Sequence, residues 1–249
     1  MQKEDLITTF KNISHTGWIS NDYRTTSSGN VGNILEDQLG IKENNLKLPD
    51  IGEYEIKAQK VKMQPNSLLS LFSCEPQPQG TVGNLINWFG WKPTIWRENY
   101  KPNERSFRQT LTSNFSDRGF RVVVLEDAVK VEFNAEYVST KHKVWKESLQ
   151  TFDLVEPYWK FDLLSEKLNV KLKNCIYSVA GSRTVDGIEQ FHYSNTMIME
   201  DFSFDRFLEQ LHEGNILIDF NARSGHNHGT KFRCRQNIIN KLYNTITYI

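Results

Sequence analysis

Leu48-Pro49-Asp50-Ile51-Gly52-Glu53-Tyr54-Glu55-Ile56-Lys57 places carboxylates (Asp50, with Glu55 or Glu53) and an amine at the start of a strand. Hydrolysis of a phosphodiester asks for such a set. A divalent cation neutralises charge developing on phosphorus, a water must be activated near neutral pH, and a further cation helps at an attacking or leaving oxygen. Mg²⁺ is hard and prefers carboxylate and carbonyl oxygens, so Asp with Glu is a natural ligand pair. Side chains two apart on a strand share a face about 6.5–7 Å apart, so Glu55 and Lys57 can address one phosphate.

The same letters also fit a plainer strand. Glu53, Glu55, Lys57 and Gln59 alternate with Tyr54, Ile56 and Ala58, the pattern of a half-buried strand with one solvated face. Glu55-Ile56-Lys57 is the only acid-x-Lys triplet in the chain. Glu53 has the strand parity of Glu55 and competes with it as a ligand. Asp50 has the opposite parity, so Ile51-Gly52 must turn or bulge to bring it to the same place, which Gly52 permits.

Around this stretch the sequence reads as an α+β protein with a mixed sheet. Leu6, Phe10 and Ile13 give an amphipathic helix over Asp5–Ile13, followed by a polar loop to Asn30. Val31, Ile34, Leu35 and Leu39 predict a second helix, with Gly40 at its C-terminal cap and Glu36 on its surface. Leu68–Phe72 reads as a buried strand and Glu75–Gly80 as a loop. Gly119–Val138 reads as a hairpin, Glu156–Leu168 as a helix, and Cys175–Ala180 and Gln190–Met199 as strands. Phe204–Leu211 looks helical and Ile216–Phe220 is a further strand.

Composition bounds the function classes. The chain has 249 residues, with 38% hydrophobic and 12% aromatic content, enough for one sizeable domain or two lobes. No apolar run reaches membrane-spanning length, and Met1-Gln2-Lys3-Glu4-Asp5 does not look like a secretory leader. Cys74, Cys175 and Cys234 are far apart and form no Cys-x-x-Cys pair, as expected for a reducing cytoplasm and against a zinc site. Thirty basic residues balance thirty acidic ones, so any nucleic-acid site must be a local patch. From Asn221 onward the charged residues are Arg223, Lys231, Arg233, Arg235 and Lys241, with no acid.

That acid-free tail contains a second constellation, Asp219-Phe220-Asn221-Ala222-Arg223-Ser224-Gly225-His226-Asn227-His228-Gly229-Thr230-Lys231-Phe232-Arg233, read as a strand running into a polar loop. Arg223 and Arg233 suit guanine edges, and His226, Asn227, His228 and Thr230 can donate in a major groove. Lys231 and Arg235 suit phosphates, which position without specifying. Other readings stay open: a His226/His228 metal pair lacking a third ligand, or a solvated turn. The adjacent letters His226-Asn227-His228 do not make an HNH nuclease, whose residues are spread along a ββα unit.

Gly29-Asn30-Val31-Gly32-Asn33-Ile34-Leu35-Glu36, Pro49-Asp50 with Glu55-Ile56-Lys57, and Gly225–Arg233 together resemble the MutH-related restriction endonucleases over essentially the whole chain. The resemblance implies a PD-(D/E)xK nuclease with a mixed-sheet core and two lobes around a DNA cleft. The expected division is a mainly catalytic lobe over residues 1–150 and a mainly DNA-recognition lobe over 151–249, with interleaving allowed. Asp50, Glu55 and the Ile56 carbonyl would hold Mg²⁺, with Mn²⁺ as a substitute. Lys57 would stabilise charge, and Glu36 corresponds to an additional helical acid. The resemblance further implies a monomer cutting double-stranded DNA at CC(A/T)GG one strand at a time, with a companion methyltransferase encoded nearby. The alternatives are a MutH-like repair nickase and a DNA-binding protein without catalysis.

Overall fold

In the computed structural model, the described residues are 2–22, 24, 27, 29–41, 48–61, 68–93, 98, 100–149 and 156–249. Along the chain run α1 (Lys3–Thr16), β1 (Ile19–Ser20), α2 (Asn30–Gln38), β2 (Tyr54–Lys60), β3 (Leu68–Ser73), α3 (Thr81–Phe89) and β4 (Ser106–Leu111). Then come β5 (Arg118–Val124), β6 (Ala128–Val138), α4 (Lys143–Glu147), β7 (Tyr158–Lys160), α5 (Phe161–Lys171), β8 (Asn174–Val185) and β9 (Ile188–Phe202). The last elements are α6 (Phe204–His212), β10 (Ile216–Arg223), β11 (His226–Arg235) and β12 (Tyr243–Tyr248). Among the described residues no helix is long and apolar enough to cross a membrane.

The chain divides into two compact units, each assembled from separate stretches. The first takes Met1–Ser67, Glu166–Ser203 and Ile239–Ile249; the second takes Leu68–Ser165 and Phe204–Ile238. A single boundary near residue 150 therefore gives way to interleaving. The last eleven residues of the acid-free tail belong to the first unit.

In the first unit the sheet order is β1-β9-β8-β2, with β12 also on β9. Pairing of β2 with β8 is parallel, Tyr54 opposite Asn174 and Lys57 opposite Tyr177, while β8 and β9 form a long antiparallel hairpin. Asp186 and Gly187 close that hairpin with φ of 51° and 80°, the left-handed pair that a two-residue turn requires. Leu6, Phe10 and Ile13 of α1 and Val31, Ile34 and Leu35 of α2 pack with Ile56, Ile176, Phe191 and Ile198 into one core. Full burial of such a side chain is worth about 1.5–3 kcal/mol, so the helical stripes fix both helices on the sheet. Gly40, at φ 68°, ends α2 where its lack of a side chain was expected to serve, and Ile41 N–H closes the cap on the Glu36 carbonyl.

The second unit has a four-stranded sheet, β3-β11-β10-β4, and a three-stranded one, β5-β6-β7. Its interior is aromatic: Phe107 meets Phe120 and Phe220 edge-on, and Phe232 stacks on Phe72 at 4.7 Å. Two sequence expectations change here. The helix read from Glu156 begins only at Phe161, because Tyr158–Lys160 pair with Ala128–Lys130 behind Pro157. The polar loop after Arg223 is instead strand β11, whose register with β10 shifts between Phe220 and Ala222. Its letters hide the strand because its outward residues are polar and Gly229, at φ 86°, lies inside it.

Candidate active site

Ile51 and Tyr54 exchange both backbone hydrogen bonds, at 3.0 and 2.9 Å, closing a two-residue turn over Gly52 and Glu53. Gly52 has φ 59°, a left-handed position that suits a residue without Cβ. The turn folds Asp50 back along the start of β2, where its Oδ2 accepts the Ile56 N–H at 2.8 Å. That bond also satisfies a donor on the edge of β2 away from β8. Asp50 thus reaches the site against its strand parity.

Glu53 is exposed, whereas Glu55 is only 5% exposed. The plainer reading of a solvated strand face therefore fails at Glu55 and at Gln59, both buried. Lys57 Nζ donates to Glu55 Oε1 at 2.7 Å. Opposite Glu55 in the register lies Cys175, fully buried, whose thiol is pushed up to about 12 by burial and is not a nucleophile at neutral pH.

The electrostatics are those of a desolvated charge cluster. Burial raises the Asp50 carboxyl above its ordinary value and Glu55 raises it further, against the Ile56 N–H, Lys171 and Lys57. Burial alone would pull Lys57 down, but Glu55, through charge and hydrogen bond, together with Cys175 and Asp50, outweighs it and leaves the ammonium more stable than usual. Two carboxylates with a neighbouring backbone carbonyl form the hard oxygen set that Mg²⁺ takes. The penalty on ionised Asp50 is one that a divalent cation would relieve, so the donors fit such an ion. Glu36 sits on α2, which packs against β2. Among the described residues no three acid, imidazole or thiol groups converge in metal-binding geometry, so Glu36 does not complete a triad with Asp50 and Glu55.

The second constellation lies on the outward face of β10 and β11 in the other unit. Arg223 Nη1 lies 3.2 Å from Glu104 Oε1, whose side chain is fully buried, and its guanidinium covers the Tyr100 ring at 5.1 Å. Arg233 Nη1 pairs with Asp219 Oδ2 at 3.1 Å, and Nη2 donates to the Leu68 carbonyl at 3.2 Å. Glu75 accepts from Asn227 Nδ2 at 3.0 Å and from the Thr230 N–H at 2.7 Å, and Thr230 is buried. His226 and His228 are exposed and adjacent, ring nitrogens 3.3 Å apart. His228 is held below its usual range, first by desolvation and then by His226, Arg108, Arg223 and Lys231. This is a cationic sheet face with an imidazole pair at its edge.

Comparison with known proteins decides the affiliation: a model of the MvaI/BcnI restriction endonuclease family matches residues 7–243. The chain belongs to that family. The structure of restriction endonuclease MvaI with its cognate DNA substrate resembles it with a TM-score of 0.78, over 100% of this chain and 99% of that one, at 22% identity. MvaI in the absence of DNA gives 0.55 with full coverage of both chains, also at 22% identity. At that identity the likeness is one of fold. No curated protein matches the sequence at a significant level. As an MvaI/BcnI-family restriction endonuclease, the chain carries its acid-x-Lys strand in the unit built on β2 and β8.

Four residues of this family member escaped the sequence reading. Lys171, Glu75 and Glu104 hold Glu55, the Asn227–Thr230 segment and Arg223 respectively. Arg108, opposite Asn221 in the register, joins the cationic face and donates to the Tyr100 hydroxyl at 3.2 Å. None lies in a motif. The alternation of Ser106-Phe107-Arg108-Gln109-Thr110-Leu111, which would have placed Arg108 outward, was the one available signal.

Proposed function

We propose that this restriction endonuclease is a Mg²⁺-dependent type II deoxyribonuclease that hydrolyses double-stranded DNA at CC(A/T)GG, as a monomer, one strand at a time, in the cytoplasm. The observation that carries the chemistry is the cluster of Asp50, Glu55 and Lys57 at one strand start, with Glu55 buried and the other two half-buried. Chemistry belongs to the unit that holds β2, and sequence reading to the unit that holds the β10–β11 face.

Asp50, Glu55 and the Ile56 carbonyl would hold Mg²⁺, or Mn²⁺ in its place. Bound there, the ion supplies charge neutralisation at a phosphoryl group and an acidified water. Lys57 keeps its proton, because Glu55 favours the ammonium, and so serves as a donor rather than a base. Its N–H groups suit a phosphoryl oxygen as charge grows there, and help to orient the attacking water. Asp50, tied to the Ile56 N–H, is held in place before substrate arrives, so no ordering cost falls on the reaction step. Glu36, on the helix behind β2, serves as an additional acid outside that ligand pair.

Arg223, Arg233, His226, Asn227 and His228 supply the base-reading side of this reading, and Lys231 a phosphate contact; Thr230, expected from the sequence to join them, is buried against Glu75 and shapes the segment instead. A central A·T pair leaves the site only pseudosymmetric, which suits one chain reading both halves better than a two-fold dimer. A methyltransferase protecting the same sequence is the expected genetic companion. Cleavage of duplexes carrying CC(A/T)GG against single-base variants, with end sequencing, tests the target. Cutting elsewhere, or without preference, would overturn it.

A further inference from the structure

Glu55 is held by two ammonium groups. Lys57 takes Oε1 at 2.7 Å, and Lys171, the last residue of α5, takes Oε2 at 3.0 Å. Lys171 Nζ also donates to the Leu48 carbonyl at 2.9 Å, two residues before Asp50. Its side chain is 25% exposed, against 7% for that of Glu55, so the pair is shielded from water. Parallel pairing explains the meeting: Asn174 lies opposite Tyr54, so the residues just before β8 and those just before β2 come to the same end of the sheet.

We propose that Lys171 is a positioning residue of this site, tying the Leu48–Asp50 segment to Glu55 and acting as counter-ion to Glu55 in the cation-free protein. Two carboxylates and two ammonium groups balance, so a divalent ion entering alone makes the cluster net positive. An arriving DNA phosphate, with its single negative charge, offsets part of that excess, which couples cation uptake to substrate. The identity of the cation rests on the nuclease reading above; the tether and the charge balance do not.

Removing Lys171 has two effects of opposite sign. The cluster becomes net negative and holds a cation more tightly, while the segment bearing Asp50 loses its tether and maximal turnover falls. A variant that merely folds poorly does neither of these together.

Calorimetric titration of the DNA-free protein with Mg²⁺ alone compares wild type, Lys171→Met and Lys171→Arg. Lys171→Met is expected to bind Mg²⁺ more tightly, by about fivefold or more, since a unit charge within a few ångströms is removed. Lys171→Arg keeps the charge and stays near wild type. Amide exchange at Ile56, measured without Mg²⁺, rises in Lys171→Met. In cleavage, the same variant reaches half-maximal rate at lower Mg²⁺ and a lower maximal rate. Unchanged or weaker Mg²⁺ affinity in a folded Lys171→Met, or in Lys171→Gln should Met prevent folding, overturns the proposal. Failure of the wild type to cut DNA would instead sink the nuclease reading, leaving the calorimetric comparison to decide the role of Lys171.

Discussion

Asp50 and Ile56 are six residues apart, yet Asp50 Oδ2 accepts the Ile56 N–H at 2.8 Å. The bond fixes a carboxylate that burial and Glu55 both make costly to ionise. A carboxyl raised above its unfolded value contributes stability that is fully present below about pH 4 and lost as pH rises through the folded value. Ionised Asp50 is therefore a liability to folding at neutral pH.

Asp50→Asn retains an acceptor for the Ile56 N–H and removes the charge. In EDTA at pH 7 it should melt above wild type, with the gap narrowing as pH approaches about 4, and cleavage should be lost. Melting below wild type across that range would contradict the assigned electrostatics.

Arg223 carries a structural duty beside any reading of bases. Its removal leaves Glu104, whose side chain is fully buried, with the Lys101 N–H at 3.2 Å as its remaining partner of those described. Breaking such a pair from one side costs about 3–5 kcal/mol. Urea unfolding should place Arg223→Ala well below wild type, with Arg223→Ala/Glu104→Gln recovering part of the loss. Equal midpoints for wild type and the single variant would mean the pair contributes nothing.

Lys231 sits on the cationic face opposite Asp219 and Ser73. As a phosphate contact it should affect all duplexes alike: Lys231→Ala is expected to weaken binding uniformly and to lower the salt slope by about one unit. A loss confined to one base position would make it a reader of sequence instead.

Local pattern made much of this legible. The stripes of α1 and α2, the cap at Gly40, the alternation of β2 and the need for a turn at Gly52 all follow from side-chain period and backbone freedom near in sequence. The Asp186-Gly187 turn has a local signal of its own, an Asp-Gly pair whose residues take positive φ. Lys171 was not readable, because only the crossover from β2 to a parallel β8 brings it to Glu55, 116 residues away. The partners of Arg223 and Arg233 hid for the same reason: cross-strand register, not spacing, chooses them. Glu53 and Glu55 were indistinguishable by parity and were separated only by burial. How the two units interleave was not readable, because each is built from stretches that no local composition joins.

The central claim is that Asp50, Glu55 and Lys57 hydrolyse DNA at a defined sequence with Mg²⁺. Its most direct test follows supercoiled plasmid over time with the wild-type chain and Lys57→Ala, in Mg²⁺ and in EDTA. Nicked circles that give way to discrete fragments, with wild type and Mg²⁺ only, while Lys57→Ala still binds the target duplex, is the predicted result. Plasmid left intact by the wild type at every Mg²⁺ and protein concentration, or cut equally well by Lys57→Ala, would contradict it.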